Sequence, residues 1–238
     1  MSTIKDSDLK PQGFIRQKDG DHFVVRVKTK VGNVTSQQMA RLSEVASKYG
    51  RGEIYLTTRL NIIIPWVARE NLDEVRTAVE EVGLVVGGTG PRVRPVVACV
   101  GTICDHGMAD TLGLGKMLDE RFAGRKLPAK LKIGITGCSN DCAKAELNDI
   151  GFMGKCTASA KVAGAGEKCF AVYIGGMFGR AHRIGVPVGG LLSADEAVEL
   201  VGKVIEYMEK NGRPGERLGA LIDRVGMEEV LRGIGLSA

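Results

Sequence analysis

Aromatic side chains are scarce: six Phe, four Tyr and one Trp among 238 residues leave little from which to build the stacking platforms that hold single-stranded nucleic acids. Charge of one sign is lacking too. Lys and Arg number 33 against 28 Asp and Glu, and a net +5 is too small an excess for a nucleic-acid footprint, although it suits a small anionic ligand. No run approaches the ~18 apolar residues of a membrane span, and Met1 to Lys10 has no apolar leader segment, so a cytoplasmic protein without membrane contact is expected. Neither a Gly-x-Gly-x-x-Gly turn after a strand nor a P-loop occurs, so dinucleotide and P-loop nucleotide binding have no support. His22, His106 and His182 have no metal-type spacing, and each is read as an ordinary surface or core histidine. What is present is a globular composition: 44% hydrophobic and 26% charged residues can hold a core without disulfide staples.

Periodicity places the elements. Phe23, Val25, Val27, Thr29 and Val31 alternate with polar residues as a half-buried strand whose other face is basic. Thr35-Ser-Gln-Gln38 is a capping-box start, and Met39, Leu42, Ala46 and Tyr49 follow at helical spacing until Gly50 closes the helix. Residues 53–66 alternate again as one strand, with Ile54, Leu56, Thr58, Leu60, Ile62 and Ile64 inward and Arg59 on the polar face. A helix over 70–82 ends at a Gly-rich stretch, 83–91, which sets a domain boundary between 1–90 and 91–238. Beyond it, strands are expected at 94–99, at 130–136, and around Ile150 and Val172. Helices are expected at 105–122 and opening near Asn140. Ser193-Ala-Asp-Glu196 caps another helix carrying Val201, Val204, Ile205 and Met208.

Six cysteines in a chain read as cytoplasmic point to metal ligands or catalytic thiols before disulfides. Cys99-Val-Gly-Thr-Ile-Cys104 and Cys138-Ser-Asn-Asp-Cys142 form two close pairs at expected strand-to-helix junctions, where helix N–H groups favour thiolates. Spacing alone leaves an iron–sulfur cluster and a structural Cys₄ zinc equally open. Cys156 and Cys169 stand apart and are read as small core hydrophobes. Lys130 and Lys132 share one side of the strand that runs into Cys138, Arg94 leads the strand into Cys99, and Arg59 adds a further cation. Single basic residues are ordinarily solvated charge. Grouped beside cysteine ligands, they point to an anionic substrate or a carboxylate-rich cofactor.

Cys138-Ser-Asn-Asp-Cys142, set in Ile-Thr-Gly-Cys-Ser-Asn-Asp-Cys-Ala-Lys-Ala-Glu and followed by Asp149-Ile-Gly-Phe-Met-Gly154, resembles the signature of the sulfite and nitrite reductase family. Tyr55-Leu-Thr-Thr-Arg-Leu-Asn-Ile62, Arg94-Pro-Val-Val-Ala-Cys-Val-Gly101, Leu127-Pro-Ala-Lys-Leu-Lys132, Tyr173-Ile-Gly-Gly176 and Gly215-Glu-Arg-Leu-Gly219 extend the likeness over most of the chain.

The resemblance implies an α+β fold, with a ferredoxin-like N-terminal half and an α/β half that binds siroheme and a 4Fe-4S cluster. It implies Cys99, Cys104, Cys138 and Cys142 as cluster ligands, with Cys142 shared with the siroheme iron. Arg59, Arg94, Lys130 and Lys132 would bind the oxyanion and supply protons, and Thr57, Thr58 and Asn140 would touch cofactor.

Four residues separate Cys99 from Cys104 where the family commonly has five, and Leu60 replaces a frequent polar residue. The implied activity is reduction of sulfite to sulfide with electrons from an external donor such as ferredoxin. The alternatives are nitrite reduction to ammonia and a non-catalytic iron–sulfur electron-transfer protein. Most family members fuse two related halves, whereas each motif occurs once here. A homodimer in which two copies trade cations and cysteines is therefore expected.

Overall fold

The computed structural model describes residues 6–155, 167–179 and 181–236, so Cys156 lies outside the described residues. The chain divides into two compact units, Met1–Gly90 and Pro91–Ala238. Among the described residues, no helix is long and apolar enough to cross a membrane.

In the first unit α1 (Asp6–Leu9) and β1 (Phe14–Arg16) precede β2 (His22–Lys28), α2 (Ser36–Tyr49), β3 (Tyr55–Leu56), β4 (Ile62–Ala68), α3 (Leu72–Glu80) and β5 (Val85–Val86). The strands form an antiparallel sheet in the order β1-β2-β4-β3, and β5 also pairs with β2. Alternation in β2 buries Phe23, Val25 and Val27 to 2% exposure or less. The capping box forms as expected: Gln38 N–H donates to Thr35 Oγ1 at 3.1 Å, and Thr35 N–H donates to Gln38 Oε1 at 3.0 Å. The buried stripe of α2 is Leu42, Val45 and Ala46, so Met39, expected inward, lies on the exposed side.

Residues 53–66 are not one strand. β3 and β4 pair as a hairpin with Leu56 opposite Ile62, and Leu56 is 76% exposed. Leu60 turns the chain at φ +58°, and its carbonyl accepts the Thr29 hydroxyl. Thr57 to Leu60 contain no Gly or Pro, so the alternation ran through the turn unmarked.

The second unit contains β6 (Val97–Ala98), α4 (Thr111–Phe122), β7 (Ile133–Thr136), β8 (Ile150–Gly154), β9 (Phe170–Ile174), β10 (Val186–Leu192), α5 (Ala194–Asn211), α6 (Leu218–Val225) and α7 (Met227–Gly233). The sheet order is β10-β9-β8-β7-β6; β6, β7 and β8 run parallel and the remaining pairs antiparallel. Every residue of β7 and β8 is buried, as befits central strands covered on both faces.

Two expected helix starts differ. α4 opens at Thr111, because the Asp110 carboxylate accepts the Gly113 N–H at 2.8 Å and caps it there. No α-helix opens near Asn140; Asp141 and Lys144 take left-handed φ of +47° and +54°, and a short 3₁₀ turn, Ala145–Leu147, follows. β10 was not among the expected strands; its Pro187, Gly189 and Gly190 are tolerated because it lies at the sheet edge.

Cys169, just ahead of β9, is buried as expected, but it is disulfide-bonded and not a free thiol. A compartment sets only the bulk redox balance, whereas a disulfide also depends on which sulfurs the fold brings within bonding reach.

Candidate functional site

Parallel pairing of β6 with β7 makes the loops after both strands leave at the same end of the sheet, where open α/β sheets hold ligands. Cys99 N–H donates to Ile135 O at 3.0 Å, which sets Cys99 beside the start of the second cysteine loop. There Gly137 N–H donates to the Cys99 sulfur at 3.1 Å, and Gly137 O accepts the Met108 N–H at 2.9 Å. The two loops are in backbone contact. A Cβ on Gly137 would come within 3.3 Å of Gly101 Cα and 3.5 Å of the Cys99 sulfur, and one on Gly107 would run into the Gly101 carbonyl. Glycine is needed at 107, where the first loop closes on itself, and leaves close room at 137, where the two loops meet.

Cys99, Cys104, Cys138 and Cys142 are all free thiols, the first and third half-buried and the other two exposed. The expected helix N-termini are absent from both loops; a loop N–H reaches the Cys99 sulfur instead. Among the described residues, no three His, Cys, Asp or Glu side chains are grouped closely enough to hold one metal ion. Tetrahedral zinc would draw four sulfurs to about 3.8 Å from one another. A 4Fe-4S cube binds each sulfur to a different iron and accepts a wider set, so four free thiols on two glycine-lined loops fit the cluster. Within the second loop, burial pushes the Asp141 carboxyl up, and the Ala145 N–H at 2.6 Å pulls it back.

The cations gather on the segments just ahead of these two strands. Val93 and Leu131 are paired in parallel and fully buried, so Arg92 and Arg94 on one segment share a side with Lys130 and Lys132 on the other. Arg92 was missed by the sequence reading, although its alternation with Val93 and Arg94 was the available signal. Its Nε is buried without a hydrogen-bond partner, a state that costs about 1–3 kcal/mol and that an anion would relieve. This row stands at the N-terminal ends of the strands and the cysteines at the C-terminal ends, about 15–20 Å of extended backbone apart. Asn140 is exposed in the second cysteine loop.

Arg59, Thr57 and Thr58 belong to the first unit, in the turn between β3 and β4. Thr57 Oγ1 accepts the Asn61 N–H at 3.0 Å, and Asn61 Nδ2 donates to Arg59 O at 2.9 Å, which fixes the turn that presents Arg59. Arg26 on β2 is a further cation the sequence reading left aside. Burial pushes its guanidinium down from the ordinary value, and its Nε is buried without a partner.

Comparison with known proteins identifies the family. The family model described as the nitrite and sulphite reductase 4Fe-4S domain matches residues 89–238, and that of the nitrite/sulfite reductase ferredoxin-like half domain matches residues 15–82. An assimilatory-type sulfite reductase of Nitratidesulfovibrio vulgaris is 29% identical over 94% of this chain and 97% of its own length. An NAD(P)H nitrite reductase of Bacillus subtilis is 29% identical over 90% of this chain, which spans 25% of that protein. The solved structure of dissimilatory sulfite reductase I shares the fold with a TM-score of 0.80 at 16% identity, over 92% of this chain and 70% of that one.

Proposed function

Because this chain belongs to the nitrite and sulfite reductase family, we propose that it reduces sulfite to sulfide, with siroheme and a 4Fe-4S cluster as resident groups and an external donor such as ferredoxin as electron source. The observation that carries this reading is that β6 and β7 are followed by four free cysteines in touching loops and preceded by a row of four cations. Cys99, Cys104, Cys138 and Cys142 hold the cluster, with Cys142 as the ligand shared with the siroheme iron. When bound, these groups supply the redox-active iron through which electrons reach the anion.

The protein's own side chains do the rest. Arg94, Lys130 and Lys132, joined by Arg92, bind the oxyanion by charge-assisted hydrogen bonds, and Arg59 supplies a fifth cation. Sulfite oxygens leave as water, so protons must arrive with the electrons, and cations around the anion favour each protonated product. Thr57, Thr58 and Asn140 hold the edge of the macrocycle. The strand length between cations and cysteines favours two copies paired about a two-fold axis, each lending its cation row to the other's cysteine loops.

The test begins with the absorption spectrum and iron and sulfide content of anaerobically purified protein. Zinc is colourless, a cluster alone is brown, and siroheme adds macrocycle bands; a brown protein without those bands would make it an electron carrier. Nitrite, another small oxyanion, fits the same cations, and steady-state turnover on both anions decides between them. Lys130→Ala and Lys132→Ala are expected to keep the colour and lose turnover by roughly 100-fold, the scale of a lost proton donor. Wild-type turnover in both would remove their assigned role.

A further inference from the structure

Two sequence features have no part in the site above: the buried Asp149 and the Gly-Glu-Arg-Leu-Gly stretch at 215–219. In the fold they meet. Arg217, 8% exposed and immediately ahead of α6, donates from Nε to Asp149 Oδ1 at 3.0 Å and from Nη2 to Oδ2 at 2.6 Å, a bidentate fork. Asp149 is fully buried and immediately precedes β8. Burying such a pair gains little stability over well-packed apolar residues, so its placement calls for another reason.

Lys132 supplies that reason. Its backbone N–H donates to Asp149 Oδ2 at 2.8 Å, and its carbonyl accepts the Ile150 N–H at 3.1 Å, so this peptide is gripped on both sides. The Asp149 carbonyl accepts the Gly175 N–H at 2.9 Å, which anchors the segment that follows β9. From that segment Phe178 O accepts the Lys132 ammonium at 2.9 Å. The same segment is stitched to α6, because Arg183 Nη1 donates to Gly219 O at 2.9 Å and pairs with Asp223 at 2.7 Å. Backbone and ammonium of one lysine are thus both referred to Asp149.

We propose that the Asp149–Arg217 pair is a positioning device for Lys132, fixing where its ammonium meets the substrate anion. The proposal rests on the reading of Lys132 as a substrate-binding residue. Asp149 and Arg217 touch neither substrate nor cofactor; they act through the lysine.

The full-length, cofactor-loaded protein tests this with two conservative variants, Arg217→Lys, which keeps the charge and loses the fork, and Asp149→Asn, which keeps the shape and loses the charge. Hydrogen exchange of the Lys132 amide is expected to accelerate in both while iron content, sulfide content and circular dichroism stay as in wild type. The KM for sulfite is expected to rise about tenfold with kcat changed much less, the scale of one lost charge-assisted hydrogen bond. Arg217→Lys combined with Lys132→Ala should be no worse than Lys132→Ala alone, whereas its loss should multiply with that of Lys130→Ala.

Unchanged Lys132 exchange, an unchanged KM in a folded variant, or losses that multiply with Lys132→Ala would overturn the proposal. So would failure of both variants to fold, which would assign the pair to stability alone. Wild-type kinetics in Lys132→Ala by itself would strike the site reading first, separately from any result on Arg217.

Discussion

At Cys99 the sulfur receives the Gly137 N–H at 3.1 Å, a contact that fixes the side chain against the start of the second cysteine loop. Cys142 stands exposed in the facing loop as a free thiol. If siroheme shares Cys142 as proposed, Cys142→Ala is expected to abolish siroheme–cluster coupling in the absorption spectrum and to lower turnover by roughly 100-fold, the upper end of what losing even a ligand's supporting contact costs. A wild-type spectrum would refute its assignment as shared ligand. The cysteine pairs and three of the four row cations were legible from residue type and spacing. Arg92 was not, because a single arginine on a strand looks like solvated charge until the burial of its Nε is known.

Among the elements, α6 shows how a short helix is anchored. Glu216, two residues ahead of it, accepts from Arg224 Nε at 2.7 Å and Nη2 at 2.8 Å and from the Arg213 N–H at 3.0 Å. The Arg224 guanidinium holds the Glu216 carboxyl down to about 2, from an ordinary 4.5. A depressed carboxyl stabilises the fold above pH 4.5 and loses that contribution as pH falls toward 2. Glu216→Gln is therefore expected to lower stability by roughly 1 kcal/mol at pH 7, a figure kept small because water reaches Arg224. The gap to wild type should narrow as urea melts are run from pH 5 down to pH 3. A gap independent of pH would show that the ion pair is not its source.

Local signals explain why α2 and α5 were placed by their capping boxes while the β3–β4 turn was missed. A cap has a side-chain signature; a turn built from Thr-Thr-Arg-Leu has none.

For the whole molecule, the separation of cations from cysteines along β6 and β7 is the feature with the largest consequence. If two copies trade these sets, a particle of twice the chain's mass should appear in sedimentation. A mixture of Lys132→Ala and Cys142→Ala proteins, refolded or exchanged together, should then recover about a quarter of wild-type turnover, since half the dimers would each carry one intact site. A fully loaded, fully active monomer would dismiss the exchange.

Sequence alone determined the class of fold: the cysteine pairs, the basic segments, the break near residue 90 and most helices are written in residue type and local period, which act within a few positions of the chain. Tertiary structure alone decided what lies beside what. The parallel register of β6 with β7 brought two distant loops into contact, and the meeting of the residues just ahead of α6 and of β8 placed Arg217 on Asp149, because pairings across dozens of residues depend on packing and hydrogen-bond closure that no local pattern encodes.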